Sequence, residues 1–162
     1  MNSRQERAVM NKRKTADRNA WEPRSRARRR ALQALYQWRM TDQAINDILV
    51  QFRETQDFKG VDDDYFEQLV RGVERSSPEL ATQLDEFMDR ELARCDLMEQ
   101  LVLLISAWQL RNEPETPGAV VLDEAADLAN RFGSAQTHSY VTAVLDRAAR
   151  AWGALPAAPA GE

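Results

Sequence analysis

Five arginines stand within seven residues of this chain, at Arg24, Arg26, Arg28, Arg29 and Arg30. A guanidinium is always charged, and its planar fork of donors matches the oxygens of a phosphate. Such a density of arginine points to a polyanion, and aromatic side chains that can stack a base would extend that to single-stranded nucleic acid. The other reactive residue types are sparse. Cys95 is the single cysteine and His138 the single histidine, so an internal disulfide and a cysteine-built metal site are excluded, and most histidine-based metal and triad designs go with them. Cys95 adjoins Arg94 but lacks a histidine partner in any recognisable spacing, and reads as inert. His138 reads as structural. Asp62, Asp63 and Asp64 are three adjacent carboxylates that suit either a divalent cation or the N-terminus of a helix. Without further oxygen ligands at a useful spacing, the helix cap is the better account. There is no glycine-rich phosphate loop and no nucleophile elbow. The chain reads as a binding module, with no enzyme activity, no cofactor and no metal expected.

Charge supports that reading through its distribution. The net charge of −4 argues against nucleic acid, yet residues 1–30 carry eleven Lys/Arg against three Asp/Glu, a local charge of +8. Residues 31–162 carry eleven against twenty-three, a local charge of −12. A basic arm on an acidic body has this signature. No apolar run reaches the roughly 20 residues of a membrane span, and the N-terminus lacks the apolar centre of a secretory signal, so a cytoplasmic protein is expected.

Something must hold the arginines, and the next residues supply it. Ala31, Ala34, Leu35 and Trp38 recur at the spacing of a core-facing helical stripe, in a first helix entered at Pro23. Residues 1–22 lack that periodicity and read as a disordered basic arm. Thr41 or Asp42 caps a second helix with Ile45, Ile48, Leu49 and Phe52 inside. The Asp62–Asp64 run opens a third with Phe66, Leu69, Val70 and Val73, and Ser77-Pro78 opens a fourth with Leu80, Leu84 and Phe87. Asp96 and Glu99 form a capping-box variant ahead of a fifth, whose unbroken apolar run Leu101–Ile105 marks a central helix. Thr116-Pro117 starts a sixth with Val121, Ala125, Leu128 and Phe132, closed by Gly133. Ser134 caps the last, with Val141, Val144, Leu145, Ala148 and Trp152. Residues 153–162, rich in Pro, Ala and Gly, read as a flexible tail. The expectation is an all-α domain over residues 23–152, with about seven helices.

Some large or polar residues fall off these stripes. In the first helix Arg26, Arg29, Arg30, Gln33 and Gln37 share one face, while Arg28, Leu32, Tyr36 and Arg39 lie between that face and the core. Tyr36 suits a stacking or partner contact and equally a core boundary. In the last helix Gln136, Tyr140, Ala143 and Arg147 align away from the apolar stripe, where Tyr140 suits base stacking or core-edge packing.

Three segments also carry a resemblance. ALQALYQW (31–38) after an arginine run resembles the opening of the bacterial transcription antitermination factors of the NusB family. YFEQLVRGV (65–73) resembles the family's mid-chain helix, and LDEAADLANRFGSAQTHSYVTAVLDRAA (122–149) its most recognisable segment. The resemblance implies two packed helical bundles, no catalysis, and binding of boxA, a short single-stranded RNA element of ribosomal RNA leaders. It implies binding together with NusE, a ribosomal protein, on an RNA polymerase elongation complex that other Nus factors also join. By the same resemblance the RNA-binding basic segment falls on Arg24, Arg26 and Arg28. The partner-facing tyrosine falls on Tyr36, the partner-binding glutamate on Glu99, and a last-helix aromatic on Tyr140. The chain departs from the family pattern at Gln136, often aspartate, at Tyr140, often phenylalanine, at Ser139, often lysine, and at Thr142-Ala143, often Asn-Gly. Arg29 and Arg30 join the RNA-binding set on charge, and Gln136 and Tyr140 as base-reading candidates. Two other readings remain: a NusB-like accessory to an RNA methyltransferase, and a helical scaffold that binds no RNA.

Overall fold

The computed structural model describes residues 3–158, with residues 13–20 described by their backbone course. Among them there are six α-helices: α1 (Ser3–Met40), α2 (Ile45–Thr55), α3 (Asp63–Leu84), α4 (Leu97–Asn112), α5 (Gly118–Phe132) and α6 (Ala135–Ala151). Single 3-10 turns at Asp85–Phe87 and Leu92–Arg94 link α3 to α4. The fold is all-α. Helices α1, α2 and α3 pack together, α4, α5 and α6 pack together, and α4 lies against α1 and α3, giving two joined bundles with one continuous core.

The central place of α4 follows from its sequence. Every residue from Leu101 to Ala107 is buried, so the helix has no solvent face over two turns. Its start is fixed by Asp96, whose carboxylate accepts the backbone N–H of Glu99 at 2.9 Å. Asp62 does the same for α3, accepting from the N–H of Tyr65 at 3.1 Å. The acidic run there is a helix cap, and Asp63 is taken by Arg53 at 2.8 Å. Ser134 and Thr137 form a reciprocal capping box on α6.

Four boundaries differ from the sequence expectation. Pro78 does not begin a helix, because α3 runs through it. Phe66, Leu69, Val70, Val73, Leu80 and Leu84 lie on one unbroken stripe, and burying it outweighs the roughly 3 kcal/mol of an interior proline. Helix α2 starts at Ile45 without a side-chain cap, since the Thr41 hydroxyl donates back to the Gln37 carbonyl at the end of α1. The first helix begins at Ser3, with Pro23 inside it, so the residues ahead of Pro23 that the structure describes are helical. The C-terminal segment folds back: the N–H groups of Ala154 and Leu155 donate to the Ala149 carbonyl, and Arg150 donates to the Pro156 carbonyl at 2.7 Å. Residues 1–2 and 159–162 of the expected arm and tail lie outside the described residues. No helix among the described residues is long and apolar enough to cross a membrane.

Candidate nucleic-acid interface

The arginine run lies on α1 where that helix passes both the loop after α2 and the start of α5. The loop is pinned to α1 by three contacts. The N–H of Asp62 donates to the Pro23 carbonyl at 3.0 Å, Arg26 Nη1 donates to the Gly60 carbonyl at 3.4 Å, and Arg30 Nε and Nη2 donate to the Asp57 carbonyl at 3.3 and 3.1 Å. Gly60 has φ +71, and a Cβ there would meet the Arg26 guanidinium, so the approach requires glycine on both counts. This clamp leaves a cleft of about 430 Å³ lined by Arg26, Arg29, Arg30, Asp57, Lys59 and Val61. Four cations converge on it. The Asp57 carboxylate is occupied with the backbone N–H of Lys59 at 2.9 Å.

Carboxylates claim these cations only loosely. Glu22 stands 3.4 Å from Arg26, and Asp127, itself held by Arg131 at 3.0 Å, stands 3.7 Å from Arg29. The Nε of Arg29 is buried with no hydrogen-bond acceptor. Arg30 gives its donors to neutral oxygens, the Asp57 carbonyl and the Gln33 side chain, which leaves its charge uncompensated.

Arg28 requires a correction. Its side chain is fully buried and faces the bundle junction, so no phosphate reaches it. With the Gln109 carboxamide oriented to place its oxygen toward the guanidinium, that oxygen accepts from Nε at 2.8 Å and Nη2 at 3.0 Å. Nη1 lies 3.4 Å from Glu124, which also accepts from the Ser25 hydroxyl at 2.8 Å. The guanidinium sits over the Tyr65 ring, whose hydroxyl donates to Glu113 at 2.6 Å. Burial holds the Tyr65 phenol well above its ordinary pKa, with Arg28 opposing. Arg28 is thus a buried charge joining α1, α3, α4 and α5, with Nε and Nη2 held by Gln109 and Nη1 facing Glu124 without a hydrogen bond. Arg24 is half-buried and stacks on the same ring, 4.7 Å from its centroid.

A second, more open groove of about 600 Å³ lies along α6. It is lined by Asp89, Ala135, Gln136, Ser139, Tyr140, Ala143 and Arg147. The Tyr140 hydroxyl donates to Asp89 at 2.9 Å, and Arg90 lies over its ring at 4.3 Å. Burial, reinforced by the bond to Asp89, pushes the Tyr140 phenol up to about 12. Arg90 is also the partner of Glu99, at 3.1 Å.

The NusB family's sequence profile matches residues 25–150. The chain belongs to the NusB family. It is 43% identical over 129 residues to the transcription antitermination protein NusB of Xanthomonas axonopodis pv. citri, covering 80% of this chain and 81% of the relative. It is 41% identical over 138 residues to that of Xanthomonas campestris pv. campestris strain B100, covering 85% and 87%. The structure of T. maritima NusB superposes with a TM-score of 0.69 at 27% identity, over 85% of this chain and 94% of that one.

On this NusB framework the expected site residues divide. Arg26, Arg29 and Arg30 come together at the cleft. Arg24 and Arg28 turn to Tyr65 and the interior. Gln136 and Tyr140 share the α6 groove, which has no lining residue in common with the cleft. Tyr36 is exposed near the end of α1. Glu99 also needs correction as a partner contact: it is buried, its N–H completes the α4 cap, and its carboxylate is taken by Arg90. Cys95 is buried, and burial raises its thiol pKa, in keeping with an inert residue. Sequence reasoning missed Lys59 and Arg90, and placed Arg147 on the off-stripe face of the last helix without a role. Lys59 is a lone cation in an acidic stretch, and nothing local announces that its loop folds against α1. Arg28 did carry a signal, since Leu32 and Leu35 follow it at four and seven residues, on the buried stripe.

Proposed function

We propose that this chain is a transcription antitermination factor that binds single-stranded RNA of the boxA type together with the ribosomal protein NusE. Membership of the NusB family, whose relatives carry the antitermination name, supports the role. The observation that carries RNA binding is the convergence of Arg26, Arg29, Arg30 and Lys59 on one cleft where few carboxylates compete. Those cations neutralise phosphates and give affinity without sequence preference. Base reading is assigned to Gln136 and Tyr140, in a groove where electrostatics is nearly balanced and shape can discriminate. Tyr36 is assigned to the partner surface. The acidic remainder of the chain, −12 over residues 31–162, repels RNA elsewhere and suits a basic ribosomal protein.

The test is RNA binding by the chain, alone and with NusE, against boxA and a scrambled control at two salt concentrations. Tighter binding of boxA than of the control with NusE present is expected, with affinity that falls as salt rises. Equal binding of both RNAs with the partner present would reduce the chain to a scaffold with a basic surface.

A further inference from the structure

Helix α1 is 38 residues long, yet the family match begins only at residue 25. Its first half projects as an arm, with residues 3–12 exposed. The twenty residues from Ser3 to Glu22 span about 30 Å, the length of roughly nine nucleotides at duplex spacing and fewer if the strand is stretched. Residues 1–23 hold six Lys/Arg against three Asp/Glu. Along the helix, positions 4, 7, 14 and 18 precede position 29 at intervals of three, seven, four and eleven residues, each close to a whole number of turns. The arm positions occupied by Arg4, Arg7, Lys14 and Arg18 therefore share a register with Arg29 in the cleft.

We propose that this arm is a second RNA-binding surface, a cationic rail that takes the phosphates of single-stranded RNA flanking the segment held in the cleft. The inference rests on the RNA-binding reading above and deepens it. Continuity carries it: one helix, with Pro23 inside it, bears the cleft arginines and the arm positions in one register, so a strand leaving the cleft along α1 follows positions occupied by further cations. The body carries an excess of carboxylates, with a charge of −12 over residues 31–162. Contacts of this kind read phosphate, not base, and lengthen the bound RNA without changing its preferred sequence.

The test uses the full chain and a variant carrying Arg4→Gln, Arg7→Gln, Lys14→Gln and Arg18→Gln, since glutamine keeps helix propensity while removing charge. Helix content is compared by circular dichroism. Two single-stranded probes are used, one of about 12 nucleotides spanning the boxA-type element and one of about 30 in which the element is flanked by unrelated sequence. On the long probe the variant loses at least about tenfold in affinity at low salt, and its log affinity against log salt becomes shallower by about 2 to 3, the effect of up to four contacts. On the short probe the two proteins bind alike. Equal loss on both probes, or no loss on the long one by a chain that binds the short one, overturns the rail and leaves the cleft standing. Loss that appears only when NusE is present overturns it as well, by showing that the arm contacts protein. Should the unaltered chain bind neither probe, the RNA-binding reading itself fails and the rail with it.

Discussion

The cleft on α1 and the groove on α6 both contain arginines and differ in what those arginines face. In the cleft, Arg30 donates to carbonyl oxygens and Arg29 has a carboxylate no nearer than 3.7 Å. In the groove, Arg147 also donates to a carbonyl, that of Phe87 at 2.6 Å, but this lining cation shares the surface with the Asp89 carboxylate. Beside the groove, Arg90 meets Glu99 at 3.1 Å and Asp89 at 3.8 Å, with its guanidinium over the Tyr140 ring. Neutral acceptors position a guanidinium without cancelling its charge, whereas carboxylates do both. The cleft therefore presents a positive field, and the groove a nearly neutral, shaped surface. Arg28 takes this contrast to its limit inside the fold, where carboxylate, carboxamide and ring leave nothing for a ligand.

The largest effect tests that limit. Replacing Arg28 with Ala empties the junction of four helices and strands Gln109, Glu124 and the Tyr65 ring. Loss of one partner from such a buried set costs about 3–5 kcal/mol. Urea unfolding should show it, while the fraction that remains folded binds RNA as before. A stable variant with weakened RNA binding would return Arg28 to the ligand surface.

A smaller effect separates cleft from groove. Arg29→Gln with Arg30→Gln removes two partly buried charges that make no short ion pair, so stability changes by about 1 kcal/mol or less. RNA affinity falls for boxA and scrambled sequences alike, and the salt dependence loses about 1.4 in slope. Gln136→Ala should do the converse, with the slope intact and discrimination reduced. If the arginine pair erased discrimination as well, the division of labour between the two regions would be wrong.

This division marks what was legible in the sequence. Apolar spacing and caps specified the helices, because periodicity and capping are local; Asp62, Asp96 and Ser134 all cap as their spacing implied. The break expected at Pro78 failed because a stripe spanning α3 overrode a local signal. Within the arginine run, charge identified the site but not its members. Whether a given guanidinium meets phosphate or core depends on α5, almost a hundred residues away, through Glu124 and Asp127. Lys59 was invisible for the same reason, since the clamp that delivers it is a tertiary contact.

The clamp itself yields a prediction of intermediate size. Gly60→Ala forces a non-glycine residue into φ +71, at about 1–2 kcal/mol, and its methyl displaces the Arg26 guanidinium. Both Arg26 and Lys59 shift, so the variant loses RNA affinity beyond its modest loss of stability. Unchanged affinity would mean that the loop contributes shape but no charge.

The smallest effect belongs to the groove and is read by pH. Tyr140 is held as a neutral phenol, raised to about 12 by burial and by its bond to Asp89, against an ordinary value of 10. A group whose folded pKa is raised contributes stability that is complete below the unfolded pKa and is lost as pH climbs through the folded one. That window runs from about pH 10 to 12, and Tyr65 shifts in the same direction. Tyr140→Phe removes one hydrogen bond that is open to solvent on one side, a loss of about 0.5–1 kcal/mol at pH 9. Unfolding at pH 11 should show a narrower gap between the two proteins, because the phenol is by then losing its advantage in the unaltered chain. A gap that stays constant would mean that the Asp89 bond does not hold the phenol. The groove would then be shaped by packing against Arg90 alone, and its contrast with the charged cleft would be sharper still.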